Sequence, residues 1–291
     1  MRTVPSPVYG VTLDDVSNIA PVVASLKSLV KFPTARVVFD TGRTAHSYLS
    51  PTQKINPVSY VMGLLIDSSY MKSYRSVAAV QAWTNQYVNA LGGLVDIWEI
   101  GNEVNGDWLS RQSNGADVFP KIQAMFDIVS AAGLKTALTF FYEGEPGQPN
   151  CIAKGHGGND MFSWINAHFI ANPTPESEAM RLGLNYALIS WYPDQCTQAK
   201  PNWATVYTKL AAIFPNAKVG FGELGTANPQ HGSMYEQIEI ATYYPMGKTN
   251  SGLASLLAYC GGYFWWYYAE EMVPFPGALG MQLNAALAAG P

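Results

Sequence analysis

The stretch VDIWEIGNEVNGDW, residues 95–108, decides the fold. A strand-like apolar run, "VDIWEIG", leads straight into Asn102 and Glu103, and a polar loop then ends at Trp108. A buried strand that delivers an amide and a carboxylate at its carboxyl end asks for a scaffold that gathers strand ends. The neighbouring sequence supplies one. Before this stretch, Pro7–Leu13, Ala35–Asp40 and Tyr60–Asp67 read as strands; after it, Lys135–Tyr142, Leu184–Pro193, Lys218–Gly225 and Gly262–Tyr268 do so.

Helical segments alternate with these runs. "SNIAPVVASLKSLV" predicts a helix opening at Pro21, because proline is tolerated in a first turn. In "YRSVAAVQAWTNQYVNALGG", Val77, Val80, Trp83, Tyr87 and Leu91 recur at three- and four-residue spacing, and Gly92 is placed to stop the helix. "VFPKIQAMFDIVSAAG" closes at Gly133, and "NDMFSWINAHFIAN" has Asn159 or Asp160 as its cap. "NWATVYTKLAAIF", "SMYEQIEIATYYPMG" and "GLASLLAY" complete the series. Eight strands, most followed by helices and with no long linker, predict a single (β/α)8 TIM barrel over residues 1–291. The rival, an open doubly wound sheet, usually carries a glycine-rich phosphate turn after its first strand, and "GVTLDD" is not one.

Composition narrows the function classes. Of the 291 residues, 48% are hydrophobic and 13% charged, which is enough apolar material for a core and too little charge for a disordered chain. The formal net charge is −4 and the 17 basic residues are scattered, so no nucleic-acid partner is expected. No apolar run approaches the ~18–20 residues of a membrane helix, and "MRTVPSPVYG" lacks the apolar core of a leader. The expected location is extracellular or periplasmic, with Met1 standing after a removed leader, and cytoplasmic is the alternative. Cys260, in "LLAYCGGYFWW", reads as a buried thiol. Cys151 and Cys196 lie in polar loops that, in a barrel, follow adjacent strands; a disulfide and two unrelated thiols are both open readings.

In a barrel, the carboxyl ends of the strands face the site. They offer Asp40, Asp67, Asn102 with Glu103, Glu143, Tyr192, Glu223 and Trp266. Glu223 lies in "GFGELG", between Gly222 and Gly225, which permit close approach. Breaking a glycosidic bond requires one protonated and one ionised carboxyl group, and retaining enzymes hold the pair about 5–5.5 Å apart. Two glutamates on nearby strand ends suit that need, since burial and mutual repulsion keep one of them protonated near neutrality.

With Asn-Glu ending the fourth strand and an isolated glutamate ending the seventh, the chain resembles the retaining glycoside hydrolases of clan A, the 4/7 superfamily. The resemblance implies Glu103 as general acid/base and Glu223 as nucleophile. It implies that Asn102 binds the sugar hydroxyl next to the anomeric carbon and that Tyr192 touches the nucleophile. Trp266 would floor the subsite at the cleavage point, with Trp265 the choice if the register slips by one, and Arg36 would steady the nucleophile. The histidines that many clan members place near the site have no clear counterpart, His46 being a weak one.

Plainer roles stand beside these. Glu103 could cap a helix, and Glu223 could be a buried ion-pair partner of Arg36. Glu99, on the fourth strand, is read as structural and needs a basic or hydroxyl partner inside the barrel. Trp108 and Trp191 could stack on sugar faces, although core packing is the better single reading for each. Glu143, Glu145, Asp194, Glu270 and Glu271 either line the cleft rim or lie in solvated loops. The histidines 46, 156, 168 and 231 form neither H-x-H nor H-E-x-x-H, so no metal is expected; no G-x-S-x-G elbow or Walker A motif occurs, and no cofactor is expected. The expectation is a monomeric glycoside hydrolase with a carbohydrate partner, endo-acting on a β-glucan or exopolysaccharide. The alternative is a carbohydrate-binding protein on the same scaffold.

Overall fold

The computed structural model describes residues 2–112, 116–144, 160–195, 200–229 and 232–291. Eight strands form one closed parallel barrel in sequence order: β1 (Val8–Leu13), β2 (Thr34–Val38), β3 (Tyr60–Leu64), β4 (Ile97–Gly101), β5 (Thr136–Phe141), β6 (Tyr186–Trp191), β7 (Lys218–Leu224) and β8 (Gly261–Trp265). β8 closes on β1, with Val8 beside Gly261 and Val11 beside Trp265. The strands are almost wholly buried, as a parallel sheet covered on both faces must be.

Alternation along the strands builds the interior in tiers. Ile97, Ala137 and Leu188 join Val8, Met62, Cys260 and Phe264 in an apolar plug. Two residues further along their strands come Glu99, Thr139 and Ser190, all fully buried, on a level with the polar contacts of Arg36. Two residues further again, Phe141 and Tyr192 line an open cavity. The intervening residues, among them Trp98, Ile100, Leu138, Phe140, Ile189 and Trp191, belong to the larger outer core against the helices. Cys260 is a free thiol in the plug, and burial pushes its pKa up to about 12.

Four helices depart from the sequence reading. The first begins at Ile19, two residues before Pro21, which sits inside its first turn. The helix Ala45–Ile55 is not foreshadowed, because Pro51 interrupts it and its buried side is only Ala45, Tyr48, Thr52 and Ile55. Helices Pro175–Gly183 and Ala278–Ala289 are likewise unannounced; the former is held by a capping box between Thr174 and Ser177. The predicted cap of the fifth-strand helix is Asp160, whose side chain accepts from Ser163 N–H at 2.9 Å. Cys151, Cys196, Glu145, His156 and His231 lie outside the described residues. No helix among the described residues is long and apolar enough to cross a membrane.

Candidate active site

β4 ends at Gly101, after a register shift against β5, and the chain turns sharply. Glu103 adopts φ 51°, a left-handed conformation that costs a non-glycine residue about 1–3 kcal/mol. The turn is clamped by Asn105: its side-chain amide donates to the Phe141 carbonyl at 2.9 Å, and its oxygen accepts from Phe141 N–H at 2.7 Å. A strained backbone is thus held by β5 so that the Glu103 side chain returns over the barrel mouth. There its carboxyl group accepts from Ser68 Oγ at 2.8 Å and from Ser190 Oγ at 2.7 Å.

Glu223 stands on β7 beside Ser190 of β6. Arg36 Nη1 donates to its Oε2 at 2.7 Å, and the Tyr192 hydroxyl donates to its Oε1 at 2.6 Å. Ser190 Oγ is 3.5 Å from the same Oε1. Ser190 Oγ therefore lies between the two glutamates, which bounds the distance between their nearest oxygens to roughly 6 Å. Two glycines make this packing possible. A Cβ on Gly225 would lie 2.8 Å from the Tyr192 ring, and one on Gly222 would lie 2.6 Å from Thr139 Oγ1.

The two carboxyl groups have unequal surroundings. Burial, and then the charge of Glu223, raise the pKa of Glu103 to about 8, against the opposing hydrogen bonds of Ser190 and Ser68. Burial raises Glu223 as well, but the Arg36 guanidinium and the Tyr192 hydroxyl pull it back down. Glu103 has no cation among its bonded partners. The Arg36 cation therefore favours the charge on Glu223 and leaves the proton to Glu103. Burial and the Glu223 charge also push Tyr192 well above the ordinary tyrosine value, so it stays a donor. Arg36 is fully buried and makes a two-pronged contact with Glu99, at 2.6 and 3.1 Å. Burial works against its charge, but Glu99 and Glu223 outweigh that and hold its pKa above the usual value. Glu99 also accepts from Thr139 Oγ1 at 2.5 Å. The basic and hydroxyl partners expected for Glu99 are thus Arg36 and Thr139.

A cavity of about 280 Å³ opens above this cluster, lined by Glu103, Glu223, Tyr192, Trp266 and Trp108, with Asp67, Ser68 and Tyr267 among the rest. Trp266, not Trp265, reaches it; Trp265 is 1% exposed and donates to Glu271 at 2.8 Å. Trp108 stands edge-on to Phe141, with ring centres 5.3 Å apart. Three of the candidate residues are not part of the cavity lining. Trp191 is 2% exposed, donates to the Tyr243 hydroxyl at 2.7 Å and packs against Trp203, so it faces the outer core, in keeping with its packing reading. Arg36 is fully buried, bonds Glu223 and stands 5.4 Å from the centre of the Trp266 ring. Asn102 is 1% exposed, and its amide nitrogen faces Asp67 Oδ2 at 3.2 Å and Glu223 Oε2 at 3.5 Å. His46 is exposed on the helix Ala45–Ile55, away from the cavity lining.

The rim acids have other duties. Asp194 accepts from the Ala227 and Asn228 amides. Glu143 is buried, and burial followed by the nearby Asp107 raises it to about 7. Glu270 is raised to about 8 by burial and its contact with Asp14. Ser68 and Ser190 are the site residues that sequence reading missed. The available signal was positional: Ser190 precedes Tyr192 by two on one strand, and Ser68 follows the strand-end Asp67. Among the described residues, no cluster of three or more His, Cys, Asp or Glu side chains could hold a metal ion.

No protein-family model matches the sequence, and no curated protein is similar to it. Solved structures are similar in shape. Saccharomyces cerevisiae Gas2p in complex with laminaritriose and laminaritetraose matches over 98% of this chain with a TM-score of 0.58 and 13% identity. This chain covers 64% of Gas2p, less than two thirds of its length. The GH1 beta-glucosidase from Exiguobacterium antarcticum B7 matches over 100% of both chains with a TM-score of 0.61 and 11% identity. At such identities the likeness establishes a shared (β/α)8 barrel fold, and the chemistry has to be argued from the site itself.

Proposed function

We propose that the chain is a retaining glycoside hydrolase acting on a β-linked glucan or a related oligosaccharide. The observation that carries this reading is the asymmetry of the two glutamates. They share the hydroxyl of Ser190, yet only Glu223 has a cation. That asymmetry supplies one acid and one nucleophile at the same sugar ring. The substrate class draws on the laminari-oligosaccharides bound to Gas2p and on the beta-glucosidase among the similar structures.

In the first step Glu223 attacks the anomeric carbon while the glycosidic C–O bond breaks, and the Glu103 proton passes to the leaving oxygen. In the second step Glu103, now a carboxylate, takes a proton from water. The water oxygen attacks the same carbon and the bond to Glu223 breaks. Two inversions give net retention. Arg36 and Tyr192 hold Glu223 ionised and aimed before attack, and Trp266 and Trp108 offer flat surfaces to sugar CH faces.

The test follows the anomeric configuration of the first product by proton NMR during hydrolysis of laminari-oligosaccharides, alongside Glu223→Gln. A β-configured first product is expected. Glu223→Gln should lose turnover by several orders of magnitude and keep its affinity for the oligosaccharide. An α-configured first product overturns the retaining mechanism. Turnover unchanged in Glu223→Gln overturns the assignment of the nucleophile, and oligosaccharide binding without turnover in the wild type favours a binding role for the cleft.

A further inference from the structure

The cleft contains a third carboxylate that the two-glutamate reading leaves without a task. Asp67 follows β3 and is one of the cavity-lining residues. It is 7% exposed. Its Oδ1 accepts from Ser69 N–H at 2.9 Å, and its Oδ2 accepts from Asn102 Nδ2 at 3.2 Å. An ionised carboxylate has about four lone-pair sites, so these two neutral donors orient it without exhausting it. Asn102 is not among the lining residues: it is 1% exposed, and its nitrogen is engaged by Asp67 and Glu223. The residue expected to read the sugar thus holds Asp67 in place, and Asp67 is the one that meets the cavity.

The charges of the lining reinforce this. Three carboxyl groups line the cavity, from Asp67, Glu103 and Glu223, and among the described lining residues there is no Lys, Arg or His. The one guanidinium nearby, that of Arg36, is fully buried and bonded to Glu99 and Glu223. A substrate carboxylate or sulfate would meet like charge there, and no cation among the described lining residues. A hydroxyl or an ammonium would meet an oriented acceptor.

The geometry points to Asp67 as a substrate-reading residue: its carboxylate accepts a hydrogen bond from the sugar bound between Glu103 and Glu223, confining substrates to neutral or amino sugars and excluding uronic acids and sulfated sugars. This rests on the glycosidase reading. The positioning chain is Ser69 N–H and Asn102 onto Asp67, and the selectivity belongs to Asp67 itself.

The experiment uses p-nitrophenyl β-laminaribioside, its analogues lacking the 2-, 4- or 6-hydroxyl on the ring next to the aryl group, and the counterpart bearing a carboxylate at C6 of that ring. Wild-type protein is assayed first on the parent glycoside and on a panel of neutral β-glucans. If it releases product from none of them, the glycosidase reading itself fails, and this proposal falls with it. If it is active, kcat/KM for the carboxylate counterpart should be at least a hundredfold below the parent. Equal turnover of the two overturns the proposal without touching the glycosidase reading. Asp67→Asn removes the charge and keeps one acceptor oxygen, which can serve Ser69 N–H but not the Asn102 amide as well. It should lose at least tenfold in kcat/KM on the parent glycoside and narrow the gap to the carboxylate counterpart at least tenfold. On one deoxy analogue, wild type and Asp67→Ala should agree within threefold, since the hydroxyl that Asp67 reads is gone. A uniform loss across the whole deoxy series would make Asp67 merely structural and overturn the proposal. The wild-type comparison of neutral and carboxylate glycosides stands even if a variant fails to fold.

Discussion

Replacing Arg36 by methionine isolates the ion cluster under the cleft. The guanidinium is fully buried and bonds Glu99 twice and Glu223 once. Methionine fills much of its volume but leaves two carboxyl groups facing each other without a cation. Removing one member of a buried pair costs about 3–5 kcal/mol, because the remaining charge is left uncompensated. That range is the expected loss at pH 7. With its cation gone, the buried Glu223 is held further above its unfolded value near ~4.3. The stability that comes with such a raised group is fully present below that pH and is lost as pH rises through the folded value. The penalty should therefore be greatest at pH 7–8 and should shrink towards pH 4, leaving a packing difference. Urea unfolding followed by tryptophan fluorescence at several pH values measures it. Adding Glu99→Gln to Arg36→Met should recover part of the loss at neutral pH. A loss under ~1 kcal/mol at pH 7, or one that does not vary with pH, would refute the ionic account of the cluster.

Four further outcomes follow from the site. Glu103 must be protonated to act as the acid and Glu223 ionised to attack, so activity should fall as pH drops through the Glu223 value and fall again as pH rises through about 8; Glu103→Gln should abolish the basic limb in a pH–rate profile. The raised Glu103 value also means that wild type loses stability as pH rises through about 8, so the isosteric Glu103→Gln should melt higher than wild type at pH 8 and equally near pH 4, as calorimetry can check. Ser190→Ala removes a hydrogen bond that lowers the Glu103 pKa, so the basic limb should move to higher pH. Gly225→Ala puts a methyl group 2.8 Å from the Tyr192 ring and 3.4 Å from Trp266 Cβ, displacing the hydroxyl that steadies Glu223; kcat should fall about tenfold at a stability cost of ~1–3 kcal/mol by denaturant titration.

The barrel was legible because eight apolar runs end on polar residues, a pattern that buried parallel strands impose. Glu103 and Glu223 were legible because they follow the fourth and seventh of those runs. What stayed hidden depended on side-chain direction. Alternation on β6 sends Ser190 and Tyr192 inward and Trp191 outward, so three consecutive residues divide between site and core. Trp265 and Trp266 divide in the same way on β8. The helix Ala45–Ile55 escaped because Pro51 breaks its pattern while tertiary burial of Tyr48 and Ile55 holds it in place. The depth of Asn102 could not be read at all, since it depends on the left-handed turn at Glu103, a conformation that Glu103's own identity disfavours.

That turn and the Arg36 cluster solve one problem from two directions. The proposed glycosidic chemistry needs two chemically identical side chains to differ in protonation at the same pH. The fold achieves this without giving Glu103 any special group. It places one cation below the floor, beyond the reach of solvent, and lets Glu99 orient it so that Nη1 is left for Glu223. Glu103, carried over the mouth by its strained backbone, receives only neutral hydroxyls from Ser68 and Ser190. The difference between acid and nucleophile therefore originates in strands β2 and β4, one tier beneath the reacting atoms. Substitutions at Glu99 or Thr139, which touch neither the cavity nor the two glutamates, should shift the acidic limb of activity through Arg36. A pH–rate profile for Glu99→Gln identical to that of wild type would break this chain of reasoning at its first link.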